Sequence, residues 1–556
     1  MTSLVRHIIR SFSFTQRIIF FVALAMVIVS GGFLITHGIR AITILQPERG
    51  GSFTEGIVGQ PSFINPVLAK NGTPDKDLTM LLFANIPTIA ESIKHDNEYK
   101  TWNVRIKEGV LWHDNTPITS DDIIFTVQAI QNPDTLSPLF ADWQNISVTR
   151  ISEREVQFQL LNSYSLFEDL LKELRPIPKK LFADLSAANF RLSLYNLEPI
   201  GSGPYQYQQL EKRRDGFIEG YEFHTFQGYS RVGTSPYITT FRIQFYENEQ
   251  KLLNAYNLGL IQGFHTALPS LYDEVAINSQ RIDIPTTKYY AVFFNKNANS
   301  LLASQTIREA LSLATDKERI IRDVFNQTAL ISNGPIPPTM KSYTKEVDAL
   351  WEYNPTKAEE LIKTQGWEKD EQTGIFFQPS GDQIVELSLT LSVPDIPQLD
   401  HIAQLIKQDW QRVGVAVDIR KVDPTILNED VISTRNYEAL LFGNILSLTP
   451  DLFSFWHSSE RFYPGLNLSL YQNEDVDDII TSIRTLQPGS ADRLAKLEEL
   501  QLLIAQDAPA IFLASPRHFY IARYNIPGII IDTIELPDDR FAHIEEWFVK
   551  TSRTFR

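Results

Sequence analysis

The residue types best suited to chemistry cluster in the stretch KEGVLWHDNTPITSDDIIFTV, Lys107 to Val127. His113 beside Asp114 has the makings of an acid/base pair or half a metal site, and Asp121-Asp122 offers two adjacent carboxylates. Each has a structural alternative. An Asp in a turn caps backbone N–H groups while its His neighbour packs at the rim. Two acids at a helix start are stabilised by the positive end of the helix dipole. The flanking residues favour these alternatives: a strand-like run reaches Trp112, Asn115 and Pro117 shape a turn, and Thr119-Ser120 reads as a helix start. Gly201-Ser202-Gly203-Pro204-Tyr205 could cradle an anion, but no helix signal follows it, so a tight backbone corner is expected. The chain has no HExxH, paired CxxC, Walker loop, GxGxxG or GxSxG, and none of its ten histidines are spaced i, i+4. These absences argue against a metallohydrolase, an NTPase or a serine hydrolase. The expectation is a non-enzymatic protein with no cofactor and no metal.

Composition narrows the class further. The chain has 556 residues, too many for one ordinary core, so two or three packing units are expected. Its net charge is −16, and residues 1–46 carry four Arg and no acid, which leaves the remainder at −20. A body that acidic is a poor partner for nucleic acid or anionic lipid. The absence of cysteine excludes disulfides, a Cys nucleophile and a lipid-modified Cys anchor. Ile18 to Ile35 is an uncharged run, long enough with Thr36 to Ile39 to span a bilayer. Arg6, Arg10 and Arg17 precede it and only Arg40 closely follows, so the positive-inside rule puts the N-terminus in the cytoplasm and the large domain outside. Ser30-Gly31-Gly32 also fits a signal-peptide cleavage site. The apolar run continues through Phe33-Leu34-Ile35, which favours a retained single-pass anchor in the cell membrane over a secreted or periplasmic product.

Past a linker expected at Ala41 to Ser52, strands and helices alternate. Asn103 to Ile106, Val110 to Trp112, Phe241 to Tyr246, Tyr289 to Asn295 and Tyr437 to Phe442 read as strands, and Asp121 to Gln131 as a helix. Val385 to Ser392, Leu399 to Val413 and Val415 to Val422 form a βαβ pattern, with Gly414 ending the helix. Asn354-Pro355 starts a helix over Thr356 to Gln365. The class is α/β, with at least one sheet per half.

Five stretches in order resemble the family 5 extracellular solute-binding proteins, the oligopeptide-, dipeptide- and nickel-binding components of ABC importers. They are VGQPSFINPVLA (Val58 to Ala69), VRIKEGVLWHDNTPITSDDIIFTV (Val104 to Val127), EPIGSGPYQY (Glu198 to Tyr207), IREALSLATDKERIIRDVF (Ile307 to Phe325) with YNPTKAEELIKTQGW (Tyr353 to Trp367), and NEDVDDIITSIRT (Asn473 to Thr485) with AQDAPAIFLASP (Ala505 to Pro516). In that family the WHD corner is scaffold, and its usual glycine is Asn115 here. The resemblance implies a type II periplasmic-binding-protein-like clamp with an enlarged first lobe. Lobe one would span 47–286, completed by 509–556, and lobe two 287–508, hinged near Pro285 and Ala508-Pro509, with 1–46 as tail and transmembrane anchor.

The resemblance further implies a peptide held in the interlobe cleft, an ABC permease and its ATPase as partners, no nucleic acid, and a monomer. A nickel-chelate or oligosaccharide ligand, or a role as an extracytoplasmic sensor, stays open. The first-lobe loop Asn71, Gly72, Thr73 and Asp75 is expected to pair with ligand backbone. Tyr205, Tyr289, Asn295, Gly443, Asn444 and Trp456 join it as ligand-facing residues. Where the family commonly places Gly-Trp and then an amine-anchoring Asp, Gly443 is followed here by Asn444. Asp451 is the nearest acid and the candidate anchor, a turn cap being its alternative.

Overall fold

The aromatic run KYYAVFF folds as the strand Lys288–Phe294 because it has apolar matter to cover on both sides. Tyr289, Ala291 and Phe293 enter one core, while Tyr290, Val292 and Phe294 enter another on the opposite face. In this computed structural model, which describes residues 12–231, 233–380, 383–524, 526 and 528–555, that strand lies inside a six-stranded sheet. The order across the sheet is Leu330–Ile331, Ala510–Ser515, Lys288–Phe294, Ala439–Ile445, Ser388–Pro394, Ala416–Val422. The βαβ unit is present. Ser388–Pro394 pairs in parallel with Ala416–Val422 around the helix Pro397–Arg412, and Gly414 takes a φ of 85° at the turn. Its first strand is shorter than the alternation suggested. Val385 and Glu386 belong to a separate three-stranded sheet, and Leu387 switches sheets by donating to the Phe376 carbonyl while accepting from Ala416 N–H.

The other body is built on a seven-stranded sheet. Its order is Ser279–Pro285, Arg517–Arg523, Gly263–Thr266, Ser52–Val58, Thr240–Tyr246, Ile218–Thr225, Tyr205–Lys212. A four-stranded antiparallel sheet made from residues 90–160 shares its core, Phe53 and Phe241 being in one cluster with Trp102 and Phe158.

Two crossings join the bodies, and they lie side by side. Pro285 ends a strand of the seven-stranded sheet and Lys288 begins one of the six-stranded sheet, so Thr286-Thr287 is the first crossing. The second differs from the Ala508-Pro509 expectation. Ala510–Ser515 still belongs to the six-stranded sheet, where it pairs with Lys288–Phe294, so the chain crosses at Pro516. The apolar run AIFLAS is buried along its whole length and completes that sheet before the chain leaves it. Thr286 Oγ1 donates to the Pro516 carbonyl at 2.6 Å, tying the crossings together, and Thr287 Oγ1 donates to the Leu446 carbonyl at 2.5 Å.

At the N-terminus a helix runs from Phe14 to Ile42, capped by Ser13 and Gln16. Its stretch Phe14–Leu34 has a mean hydropathy of 2.3 and is unburied, long and apolar enough to cross a membrane. Arg6 and Arg10 lie outside the described residues. The expected linker is not one. Thr43–Glu48 is a strand that pairs antiparallel with Lys550–Phe555, so the C-terminus returns to the base of the helix.

One buried charge holds the C-terminal segment in place. Arg540 Nε and Nη2 each lie 2.7 Å from Glu55 Oε1, and its Nη1 reaches Asp77 at 2.5 Å. Tyr520 donates its hydroxyl to Glu55 Oε2 at 2.7 Å. One guanidinium thus serves two carboxylates. Burial pushes the Glu55 carboxyl up to about 7 despite the pull of Arg540. Glu55 holds its proton more tightly folded than unfolded, so its own contribution to stability declines as pH rises from about 4.5 to about 7. Arg540→Met strands two buried anions. It should cost about 3–5 kcal/mol at pH 8 and less at pH 5.5, where protonation relieves them. Urea unfolding at the two pH values checks this, and an equal loss at both would contradict the charge argument.

Candidate functional site

The two candidate chemistry sites join as one scaffold corner. His113 N–H donates to the Gly201 carbonyl at 2.8 Å, and Gly201 N–H donates to His113 Nδ1 at 3.1 Å. The ring proton therefore sits on Nε2, which donates to the Gly203 carbonyl at 3.2 Å. The glycines are required by close approach: a Cβ on Gly201 would fall 1.9 Å from the Leu82 carbonyl oxygen. Ser202 and Gly203 N–H both donate to that oxygen, so the corner caps the helix Pro74–Leu82. Asn115 takes a φ of 66°, as its place in the turn requires. Asp114 pairs with Lys180, and Asp122 caps Thr119 N–H at 2.9 Å. None of these groups is left for catalysis.

The capped helix presents the first-lobe loop. Asn71 and Gly72 are exposed and Thr73 is the helix N-cap. Gly72 and Thr73 line a cavity of about 230 Å³. Asp75 does not face ligand: it is buried, and its Oδ1 accepts from Ser62 and Phe63 N–H at 2.7 and 2.6 Å. Tyr205 also departs from expectation, being a core residue whose hydroxyl donates to the Ile238 carbonyl. Tyr289 and Trp456 pack in the second body's core, and Asn444 is buried there with its amide donating to the Tyr289 hydroxyl at 3.0 Å. Asn295 caps a turn at Asn297 and Ala298. Gly443 sits mid-strand with Lys288 and Tyr290 at 3.0 Å from a would-be Cβ. For Tyr289 and Asn444 the sheet explains the burial: both of its faces are covered by core.

Asp451 lies where the two bodies meet. Its Oδ1 accepts from Phe453 N–H at 3.1 Å, its Oδ2 is 3.2 Å from Arg484 Nε, and the Tyr164 hydroxyl of the other body faces it. The Arg484 guanidinium is stacked between the Tyr164 and Phe453 rings, 4.6 and 4.4 Å from their centroids. Ser165 N–H donates to the Arg484 carbonyl at 2.8 Å. The carboxylate expected to anchor an amine is therefore already engaged, in a clasp between lobes.

Between clasp and crossings lie two cavities that share Leu448, Asp532 and Thr533. One, of about 440 Å³, is lined from the first body by Tyr164, Glu173 and Arg175, and from the second by Ser447 and Leu448. The other, of about 800 Å³, is lined by Met340, Pro450 and Leu497 of the second body. Leu448 N–H donates across the gap to Glu535 at 2.5 Å. Burial pushes the Glu535 carboxyl up to about 7. The sequence reading missed the whole segment Ile530 to His543, which lines both cavities. Its only signal was the run ELPDDR, three acids and an Arg after a Pro turn.

The sequence pattern of the bacterial extracellular solute-binding proteins, family 5 Middle, matches residues 85–462. The oligopeptide-binding protein AppA of Bacillus subtilis is 23% identical over 520 residues, covering 91% of this chain and 92% of that protein. The solved structure of AppA with a nonapeptide superposes with a TM-score of 0.70, again at 23% identity, over 91% of this chain and 100% of that one. NikZ of Campylobacter jejuni, solved with Ni(L-His), gives a TM-score of 0.69 at 21% identity, over 89% of this chain and 99% of that one.

The corner makes its own prediction. Burial holds the His113 ring down at about 4 against an ordinary 6.5, so its contribution is full above pH 6.5 and is lost as pH falls toward 4. His113→Ala should lower stability by about 1–3 kcal/mol at pH 7.5, with a smaller penalty at pH 5. Melting curves at both pH values check it, and a penalty that grows on acidification would contradict it.

Proposed function

Because the chain belongs to the bacterial extracellular solute-binding proteins, family 5, we propose that it is the peptide-binding component of an ABC importer. It encloses its ligand between the two lobes and hands it to a membrane permease driven by an ATPase. The observation that carries this reading is the pair of cavities flanking Leu448, both lined by both bodies, beside two crossings held together by Thr286 and Pro516. Such a clamp closes by as much as its ligand prefers the closed form. Relatives that bind oligopeptides and dipeptides support a peptide ligand. An extended peptide would pair its backbone with loop backbone at Asn71 to Thr73 while its side chains enter wet pockets.

In this reading the apolar helix Phe14–Ile42 is retained as a single-pass anchor, and the ribbon Thr43–Glu48 with Lys550–Phe555 sets the body outside the membrane. Intact-mass analysis of membrane-extracted protein should give the uncleaved chain; a mature N-terminus at Phe33 or beyond would replace the anchor with a signal peptide. Mass spectrometry of small molecules released from the purified protein should return peptides, and a non-peptide solute such as a metal chelate or oligosaccharide would overturn the peptide assignment. Asp451 acts in this scheme through lobe closure, not through the ligand's amino terminus. Asp451→Asn should therefore weaken a free-amine peptide and its N-acetylated analogue equally, by about threefold to tenfold for one lost interlobe hydrogen bond. Calorimetry with the matched pair decides it, and a loss confined to the free-amine peptide would restore Asp451 as the amine anchor.

A further inference from the structure

We infer that the ribbon Thr43–Glu48 with Lys550–Phe555 is a seat on the membrane surface: one of its faces lies in the lipid headgroup layer and holds the body against the bilayer without a flexible tether. The inference rests on the reading of the helix Phe14–Ile42 as a retained anchor.

Length places the ribbon. The 22 residues from 18 to 39 include no Asp, Glu, Lys or Arg, and Arg17 and Arg40 bracket them. At about 1.5 Å per helical residue they span about 33 Å, close to the thickness of a bilayer's hydrocarbon core. The exposed Arg40 therefore stands at headgroup level on the outer side. The helix continues to Ile42 and the chain turns extended at Thr43, so the ribbon begins three residues beyond Arg40. That is about 5 Å of helix, no more than the depth of the headgroup layer.

Pairing sorts the ribbon's side chains into two faces. Residues directly opposite each other in an antiparallel pair share a face. Leu45 and Pro47 thus lie with Arg553 and Phe555 on one face. Gln46 and Glu48 lie with Lys550, Ser552 and Thr554 on the other, where Ile44 is the one apolar residue. Leu45 is 59% exposed and Phe555 79%. Phe555 stands opposite Thr43, at the base of the helix, where Arg553 Nη1 donates to the Thr43 hydroxyl at 3.2 Å.

The ribbon also needs a partner. Among the described residues its two strands pair only with each other, and a two-stranded ribbon alone in water is marginal. The membrane surface suits its Leu45 face: the apolar side chains reach the acyl boundary while Arg40 and Arg553 meet lipid phosphates. The hydrocarbon core does not suit it, because the outer edge of each strand presents backbone N–H and C=O groups that need water or headgroups. The acidity of the whole body does not oppose the contact. Locally, from Arg40 to Glu48 and from Lys550 to Phe555, the one acid Glu48 faces the three cations Arg40, Lys550 and Arg553, and more distant charges are screened by salt.

The test uses the full-length chain, which has no native cysteine, in vesicles of phosphatidylcholine and phosphatidylglycerol at a low protein-to-lipid ratio. Leu45→Cys, Gln46→Cys and Val27→Cys each carry a polarity-sensitive fluorophore. All three positions are exposed, and unchanged melting temperatures show that the variants fold. Lipid nitroxides sit either just below the headgroups or at the bilayer centre. The Leu45 label should lose most of its emission to the shallow nitroxide and little to the central one. The Gln46 label, on the opposite face, should keep its emission with either lipid and yield to aqueous iodide, and the Val27 label should be quenched from the centre. A Leu45 label open to iodide, with Val27 still quenched from the centre, overturns the seat and leaves the anchor standing. A Leu45 label shielded from iodide and from both nitroxides, and more so as the protein-to-lipid ratio rises, assigns the face to a second copy of the chain and also overturns the seat. A Val27 label that no lipid nitroxide quenches overturns anchor and seat together.

Discussion

Arg540 sits at full burial between Glu55 and Asp77, which come from the first strand and the first helix of the body nearly five hundred residues earlier in the chain. Neither carboxylate tolerates that environment alone, because an ion taken out of water must find a counter-charge. The guanidinium meets that need only if the C-terminal segment lies across the seven-stranded sheet. Once it does, the position of everything from Ile530 to His543 follows. Glu535 reaches Leu448 on the other body, Asp539 caps the turn at Glu535 and Leu536, and Asp538 lies beside the first-lobe loop. This face of the first lobe is thus assembled from segments far apart in the chain.

The second lobe buries charge too, pairing Asp409 with Arg319 at 2.6 Å. Its sheet is held by apolar packing on both faces, and it meets the first lobe at the crossings, at the Tyr164, Asp451 and Arg484 clasp, and through Leu448. Strong cohesion inside each body and sparse polar contact between them is the division that rigid-body closure needs. The interlobe contacts are hydrogen bonds and one ion-paired, ring-stacked guanidinium, each hydrogen bond worth about 0.5–1.5 kcal/mol, so the closed form is within range of control by a ligand.

Local patterns in the sequence carried most of the framework. The βαβ unit, the WHDN turn and the glycine corner were legible because each follows from residues adjacent in the chain: a 3.6-residue period, a turn-forming Asp-Asn, a glycine forced by close approach. The site was far less legible. Tyr205, Tyr289, Asn295, Asn444 and Trp456 stand where the resemblance places ligand, but their side chains point into cores, and which face of a strand is covered depends on partners hundreds of residues away. Asp75 and Asp451 have the right chemistry and the right region, yet backbone N–H groups claim one and Arg484 the other. The acids at Asp538 and Glu535 carry no local signal of a site, and only the long-range pairing of Arg540 turns that segment inward.

Closure of two rigid bodies on a ligand is the claim on which the functional account depends, and the absence of cysteine makes it directly measurable. Spin labels on Lys94→Cys in the first body and Glu498→Cys in the second, both exposed positions, report the interlobe distance by pulsed electron resonance. Adding the peptides recovered from the native protein should collapse a broad distribution into one shorter, narrower distance. A distribution that is the same with and without those peptides would contradict the clamp.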